Sequence, residues 1–306
     1  MLQKYKYIYT FYSLIELFEN NTIINTKHTI FTEILNIYNN LIMTNKKHKE
    51  FNLSLILIGL LVIIPIVINF IIIFINKYNI YPANWNTFIT YSLSFSLVLF
   101  ISKKIWEITF FDIQRVNIII FLLLIPITFT LSITIEGLSS LIPMPDKIQR
   151  LFEQMFSFDL PGYLTIGIMA PILEEFIFRG IVLKKFLKSH TPQSAIILSA
   201  IIFGIAHFNP WQFIGAFFMG ILIGWIYWKT KSIWPGIFIH FTNNSLSFFI
   251  AKKYNNININ FNDIINNNFY YTALLTISII TCYILIIILN KYLLKQNNNT
   301  NGYNQY

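Results

Sequence analysis

Six side chains stand out because each is polar and lies in sequence that is otherwise apolar. Glu174, Glu175 and Arg179 fall in the run from Met169 to Gly180; His207 ends the run from Phe203; His240 and Asn244 share the run from Ile239. Glu175 and Arg179 are four residues apart, acid first, so on a helix they share a face and neutralise each other. Glu174 is turned by about 100° from Glu175 and has no such local partner. That leaves Glu174 free to take or give a proton, the property of a general base acting on water. His240 and Asn244 are also four apart, so an imidazole and a carboxamide project into one space. A base that could activate water and side chains that could donate hydrogen bonds to a developing negative charge are thus both in the set. No Ser or Cys accompanies the histidines as a candidate nucleophile, which argues against a covalent acyl intermediate.

A metal is the chemical alternative. Glu174, His207 and His240 could hold a zinc ion with an open position. A carboxamide at Asn244, however, is a poor zinc ligand and a suitable hydrogen-bond donor. The metal-free glutamate route is therefore the favoured expectation, with no cofactor.

The elements that must position these groups are membrane helices. Hydrophobic residues make up 55% of the 306-residue chain and charged residues 11%, against about 25% charged in a soluble globule. A bilayer core about 30 Å thick needs roughly 20 helical residues. Apolar runs near that length are read at 53–75, 86–102, 117–136, 162–183, 193–208, 212–228, 233–250 and 270–289. The expectation is an all-α fold, a polytopic membrane helix bundle of about eight transmembrane helices. An ionisable residue at the centre of such a helix costs at least about 2.5 to 3.5 kcal/mol, so each of the six demands a reason.

Around this domain, 51–295 with a motif core at 161–250, the sequence places a polar-amphipathic cytoplasmic extension at 1–50. A disordered, Asn-rich tail is expected at 296–306. Residues 146–160 carry apolar side chains at helical spacing and are expected to lie along the interface. Short links, such as Asn209-Pro210-Trp211 and 229–232, force neighbouring helices to run antiparallel. Gly220 and Gly224 form a small-xxx-small pair suited to close helix contact. Glu136, beside Gly137 at a span end, is expected to reach toward water.

The net charge of +9 is dispersed through connections rather than gathered in a stripe, so nucleic acid is not an expected partner; the charges read as a topology signal. With the N-terminus inside, the inner connections carry Lys46, Lys47, Lys49, Lys103, Lys104, Arg115, Lys184, Lys185, Lys188, Lys229, Lys231, Lys291 and Lys295. The outer ones carry Lys77, Lys147, Arg150, Lys252 and Lys253. Both termini are thus expected in the cytoplasm of a bacterial inner (plasma) membrane. The single cysteine, Cys282, excludes an internal disulfide and a Cys-rich metal site.

The ordered motifs Glu174-Glu175-x-x-x-Arg179, Phe203-x-x-x-His207 and His240-x-x-x-Asn244 resemble the CAAX prenyl protease and bacteriocin-processing family of intramembrane endopeptidases, also described as the Abi family. The resemblance covers residues 161–250. It implies that Glu174 activates water, that His207 assists or orients that water, and that His240 and Asn244 stabilise the oxyanion. Glu175 and Arg179 would hold the site together. It further implies a cavity open to the cytoplasm, membrane lipid as surroundings, and a membrane-associated, prenylated or bacteriocin-like peptide as substrate. Two other classes fit intramembrane Glu and His residues: an ion-coupled transporter with a proton relay, and a non-catalytic membrane immunity or scaffold protein. A transporter should show related halves, whereas the polar motifs lie only in the C-terminal half. Oligomeric state is not legible in the sequence.

Overall fold

The computed structural model describes residues 24–142, 144–145, 148–150 and 157–303. Most of the segment expected to lie along the interface, 146–160, falls outside the described residues. The chain divides into two compact units, Met1–Lys49 and Glu50–Tyr306. In the first, the described residues are helical.

Among its described residues the second unit is built of helices joined by irregular connections, and each of the eight apolar runs forms a helix. The first run lies in α1 (Ile24–Asn76). After it come α2 (Asn86–Ile105), α3 (Ile118–Ser139), α4 (160–186), α5 (Pro192–Ile205), α6 (Pro210–Thr230) and α7 (Trp234–Tyr254). A short α8 (Phe261–Ile265) precedes α9 (Asn268–Tyr303). Among the described residues, five helices are long and apolar enough to cross a membrane: His48–Asn76, Ala83–Ile105, Ile118–Ser139, Pro210–Thr230 and Asn268–Gln296. The other three fall short for visible reasons. α5 has only 14 residues, α7 carries the His240 to Asn244 polar stretch, and α4 is interrupted.

Helix starts follow from capping chemistry. Asp159, Thr191 and Asn209 each accept a hydrogen bond from a backbone N–H in the first turn that follows, and Pro161, Pro192 and Pro210 stand just inside those turns. A proline there loses no hydrogen bond, because the first N–H groups of a helix have no partner anyway.

Large apolar side chains point outward along the long helices, among them Phe70, Phe74, Phe100, Phe269 and Tyr283. Such exposure would be costly in water and is what lipid requires. Inside, one cluster centres on Ile177, Phe178, Ile181 and Phe186 with Leu57 and Val98. A second centres on Ile127, Ile223, Ile239 and Leu289. α5 lies closely on α6 because Gly220 and Gly224 have no side chains: a Cβ on Gly220 would stand 3.2 Å from Ala200 Cβ, and one on Gly224 3.2 Å from Ile196 Cγ2.

The connections tie each end of the bundle together. At the lysine-rich end, Asp112 accepts from Lys184 at 2.8 Å and from the Tyr227 hydroxyl at 2.5 Å, while Ser232 donates to the Gln114 carbonyl at 2.7 Å. At the opposite end, Trp211 donates to the Ile142 carbonyl at 3.1 Å. There Glu136 accepts from the Phe261 N–H at 3.3 Å and the Tyr271 hydroxyl at 3.2 Å. Protein donors, rather than water alone, thus meet the Glu136 carboxylate.

Candidate active site

The site is built on a helix that is not regular. Within α4 the turns at Leu164–Met169 and Phe178–Leu183 are π-helical, and they flank the α-helical turns Ala170–Ile177 that carry both glutamates. Pro171 supplies a local reason for the first. In a π turn the Ile166 carbonyl would accept from residue 171, and proline has no N–H to give. Ala170 N–H is already committed to the Thr165 carbonyl. The orphaned Ile166 oxygen accepts instead from Asn244 Nδ2 on α7, at 3.0 Å. A carboxamide nitrogen has two hydrogens, so this contact fixes Asn244 and leaves it one further donor.

Glu175 is fully buried and Arg179 is 1% exposed. Arg179 Nη1 donates to Glu175 Oε1 at 2.8 Å, and Nη2 donates to the Gly220 carbonyl on α6 at 3.3 Å. Its guanidinium lies over the Phe203 ring, 4.6 Å from the centroid. A carboxylate only accepts, so His240 Nδ1, 3.1 Å from Glu175 Oε1, is the donor in that contact. The ion pair therefore does two jobs: it neutralises itself and sets the imidazole of α7. Gly236 lets α7 come this close, since a Cβ there would stand 2.7 Å from Ile223 Cγ2 and 2.9 Å from Glu175 Oε2.

Glu174 sits beside this pair with a different environment. Its Oε1 accepts from the Tyr91 hydroxyl at 2.6 Å. Its Oε2 is buried without a hydrogen-bond partner and lies 3.9 Å from His240 Nε2. Glu174 was expected to have no partner on its own helix, and none is there; the partner comes from α2. Tyr91 is a site residue that the motifs do not reveal. Its signal was the hydroxyl content of the second span, with Thr87, Thr90, Ser92, Ser94 and Ser96 around it, although only one face of that helix, with Ser94 fully buried, turns to protein.

His207, just past the C-terminus of α5, donates from Nδ1 to the Phe203 carbonyl at 2.9 Å. In a neutral ring that leaves Nε2 as an acceptor. Glu174, His207, His240 and Asn244 all line one cavity of about 320 Å³, together with Gln212 and Asn243. A second cavity of about 360 Å³ shares Gly215, Met219, Asn243 and Ser247 with it and reaches Glu136, Trp211 and Phe261. The polar recess thus runs from Glu174 toward the bundle end formed by the α5–α6 link and α8. That end is opposite the connections that carry most of the lysines. An orientation with the lysines inside and a cavity open to the cytoplasm are therefore incompatible expectations for this fold.

For a metal, the donors must converge. Among the described residues no group of three or more His, Cys, Asp or Glu side chains is arranged to hold one. Glu174, His207 and His240 face one cavity, and each ring donates from Nδ1 to a protein acceptor, which leaves Nε2 as the ring nitrogen outside those bonds.

Carboxylate, imidazole and carboxamide groups meet in a recess within a polytopic helical bundle whose long apolar helices are those of an integral membrane protein. Residues 156–246 match the family Type II CAAX prenyl endopeptidase Rce1-like. The segment spans α4 to the His240–Asn244 turn and contains all three motifs, so the family resemblance holds where the site is. Over 82 residues the chain is 34% identical to the protein named "Putative membrane peptidase YdiL" of Bacillus subtilis (strain 168), covering 27% of this chain and 34% of that one. The chain thus matches about a third of the length of that relative. No solved structure matches the chain.

Proposed function

We propose that this chain is an intramembrane endopeptidase that hydrolyses a peptide bond with a water activated by Glu174. One observation carries the reading: Glu174 keeps one buried oxygen without a partner, at the cavity that His207, His240 and Asn244 also line. An oxygen left unpaired in a low-dielectric recess is costly unless something polar visits it. A water there has Glu174 as base and His207 as a second acceptor to orient it. Attack on the substrate carbonyl creates an oxyanion, for which His240 Nε2 and the remaining Asn244 hydrogen are the available donors. Because His240 Nδ1 already donates to Glu175, Nε2 donates to the oxyanion only when the ring carries both protons. The proton taken by Glu174 then passes to the leaving amine.

The proposed substrates are membrane-associated peptides, with prenylated and bacteriocin-like peptides as the classes to test first. Membrane lipid surrounds the enzyme, and no cofactor is proposed. The test uses full-length protein in lipid vesicles and two sets of internally quenched peptides, one ending in a prenylated cysteine motif and one unmodified and apolar. Glu174→Gln is expected to abolish cleavage while leaving the protein folded, and wild-type cleavage is expected to survive chelation. Cleavage by Glu174→Gln at the wild-type rate refutes the glutamate mechanism, and loss on chelation restored by zinc refutes its metal-free form.

A further inference from the structure

Three features lie outside the motifs. At one end of the bundle the buried Glu50 and Ser189 bond to each other beside His190. That contact ties the α4–α5 connection to the start of the first span. The apolar groove of Phe121, Ile168, Pro171, Trp234 and Phe241 is a lipid-facing surface with no feature to select an occupant. The third feature, the hydroxyl of Tyr91, touches the reacting carboxylate itself.

We infer that Tyr91 is a positioning residue for the proposed reaction: its hydroxyl holds Oε1 of Glu174 so that Oε2 alone is presented to the cavity. The inference rests on the endopeptidase reading and deepens it. A carboxylate on a flexible stem of two methylene groups exchanges its two oxygens by rotation, and a base that rotates spends part of its time with the wrong lone pair toward the water. A single strong donor fixed to one oxygen removes that freedom. At 2.6 Å the Tyr91 contact is short, as expected for a hydroxyl donating to a charged acceptor. The donor is itself held, because its ring stacks on Phe95 one helical turn away, with centroids 4.1 Å apart and planes at 16°. α2 also packs along the π-helical and α-helical turns of α4 that carry the glutamates.

The arrangement on the other side completes the argument. Glu175 and Arg179 occupy each other, and His240 Nδ1 is spent on Glu175. Nothing on α4 or α7 holds Glu174: its contact with His240 is 3.9 Å, beyond a hydrogen bond. Among the described residues, the bond from Tyr91 is the one hydrogen bond to that carboxylate. A lone helix-borne carboxylate thus takes its orientation from a different helix, and the α2–α4 interface becomes part of the active site's geometry.

Tyr91→Phe keeps the ring and its stacking and removes only the donor. In vesicles, with whichever quenched peptide the wild type cleaves, kcat is expected to fall about 10- to 100-fold, the scale of a misplaced catalytic group, with KM changed less than about twofold. Infrared difference spectra, with the Glu174 band assigned by its loss in Glu174→Gln, are expected to show that band shifted in Tyr91→Phe without any substrate present. Phe95→Leu, which leaves the hydroxyl but loosens its support, is expected to give a smaller change of the same kind. A Tyr91→Phe protein with wild-type kcat and an unshifted band, alongside an inactive Glu174→Gln, overturns the inference and leaves the endopeptidase reading standing. A fall in kcat with no change in the band also overturns it, because a purely structural role would do that. Full activity in Glu174→Gln removes the reaction for which Tyr91 would position anything.

Discussion

Replacing Arg179 by methionine tests whether the buried ion pair is a structural necessity. The guanidinium is 1% exposed and its partner carboxylate fully buried. The substitution deletes the 2.8 Å bond to Glu175, the 3.3 Å bond to the Gly220 carbonyl and the stacking over Phe203. Methionine fills much of the volume, so the loss is mainly electrostatic. What remains is Glu175 with one contact from His240 at 3.1 Å and an Oε2 already without a partner. Stranding one member of a buried pair costs about 3 to 5 kcal/mol. Because His240 still donates, the lower end applies: about 3 kcal/mol, or roughly 150-fold in the folded-to-unfolded ratio. Removing both charges in Glu175→Gln with Arg179→Met leaves no stranded ion. The double variant should therefore lie at least about 2 kcal/mol above the sum of the single losses. Equilibrium unfolding by titration with denaturing detergent in mixed micelles measures all four corners of the cycle. A single variant within about 1 kcal/mol of wild type, or strict additivity, refutes the argument.

Gly236→Ala places a methyl group 2.7 Å from Ile223 Cγ2 and 2.9 Å from Glu175 Oε2, so α7 must shift from the glutamates. The same unfolding assay should record a loss of about 1 to 3 kcal/mol, with reduced cleavage; unchanged stability would show that α7 gives way freely. For topology, the lysine bias predicts that Lys253→Cys, near the cavity end, is labelled from outside intact cells by an impermeant maleimide in a Cys282→Ser background. Lys188→Cys should label only after permeabilisation. The reverse pattern would put the cavity on the cytoplasmic side and overturn the orientation read from the charges.

The sequence by itself determined the material and the inventory. Its apolar runs fixed membrane helices, because a chain with so few charges has no other stable state in lipid. Spacing alone paired Glu175 with Arg179, since residues four apart on a helix meet whatever surrounds them. The apolar runs expected to begin at 162, 193 and 212 begin within two residues of the helices that Asp159, Thr191 and Asn209 cap. The tertiary structure decided what comes from different helices. Tyr91 reaches Glu174 across 83 residues of chain, and no local rule links them. The Ile166 carbonyl is orphaned by Pro171, which sequence could suggest, but that Asn244 fills the vacancy depends on how α7 crosses α4. The end at which the recess opens was likewise set by packing. Charge counts orient a bundle relative to the membrane, yet they carry no information about where, between its helices, a cavity is left.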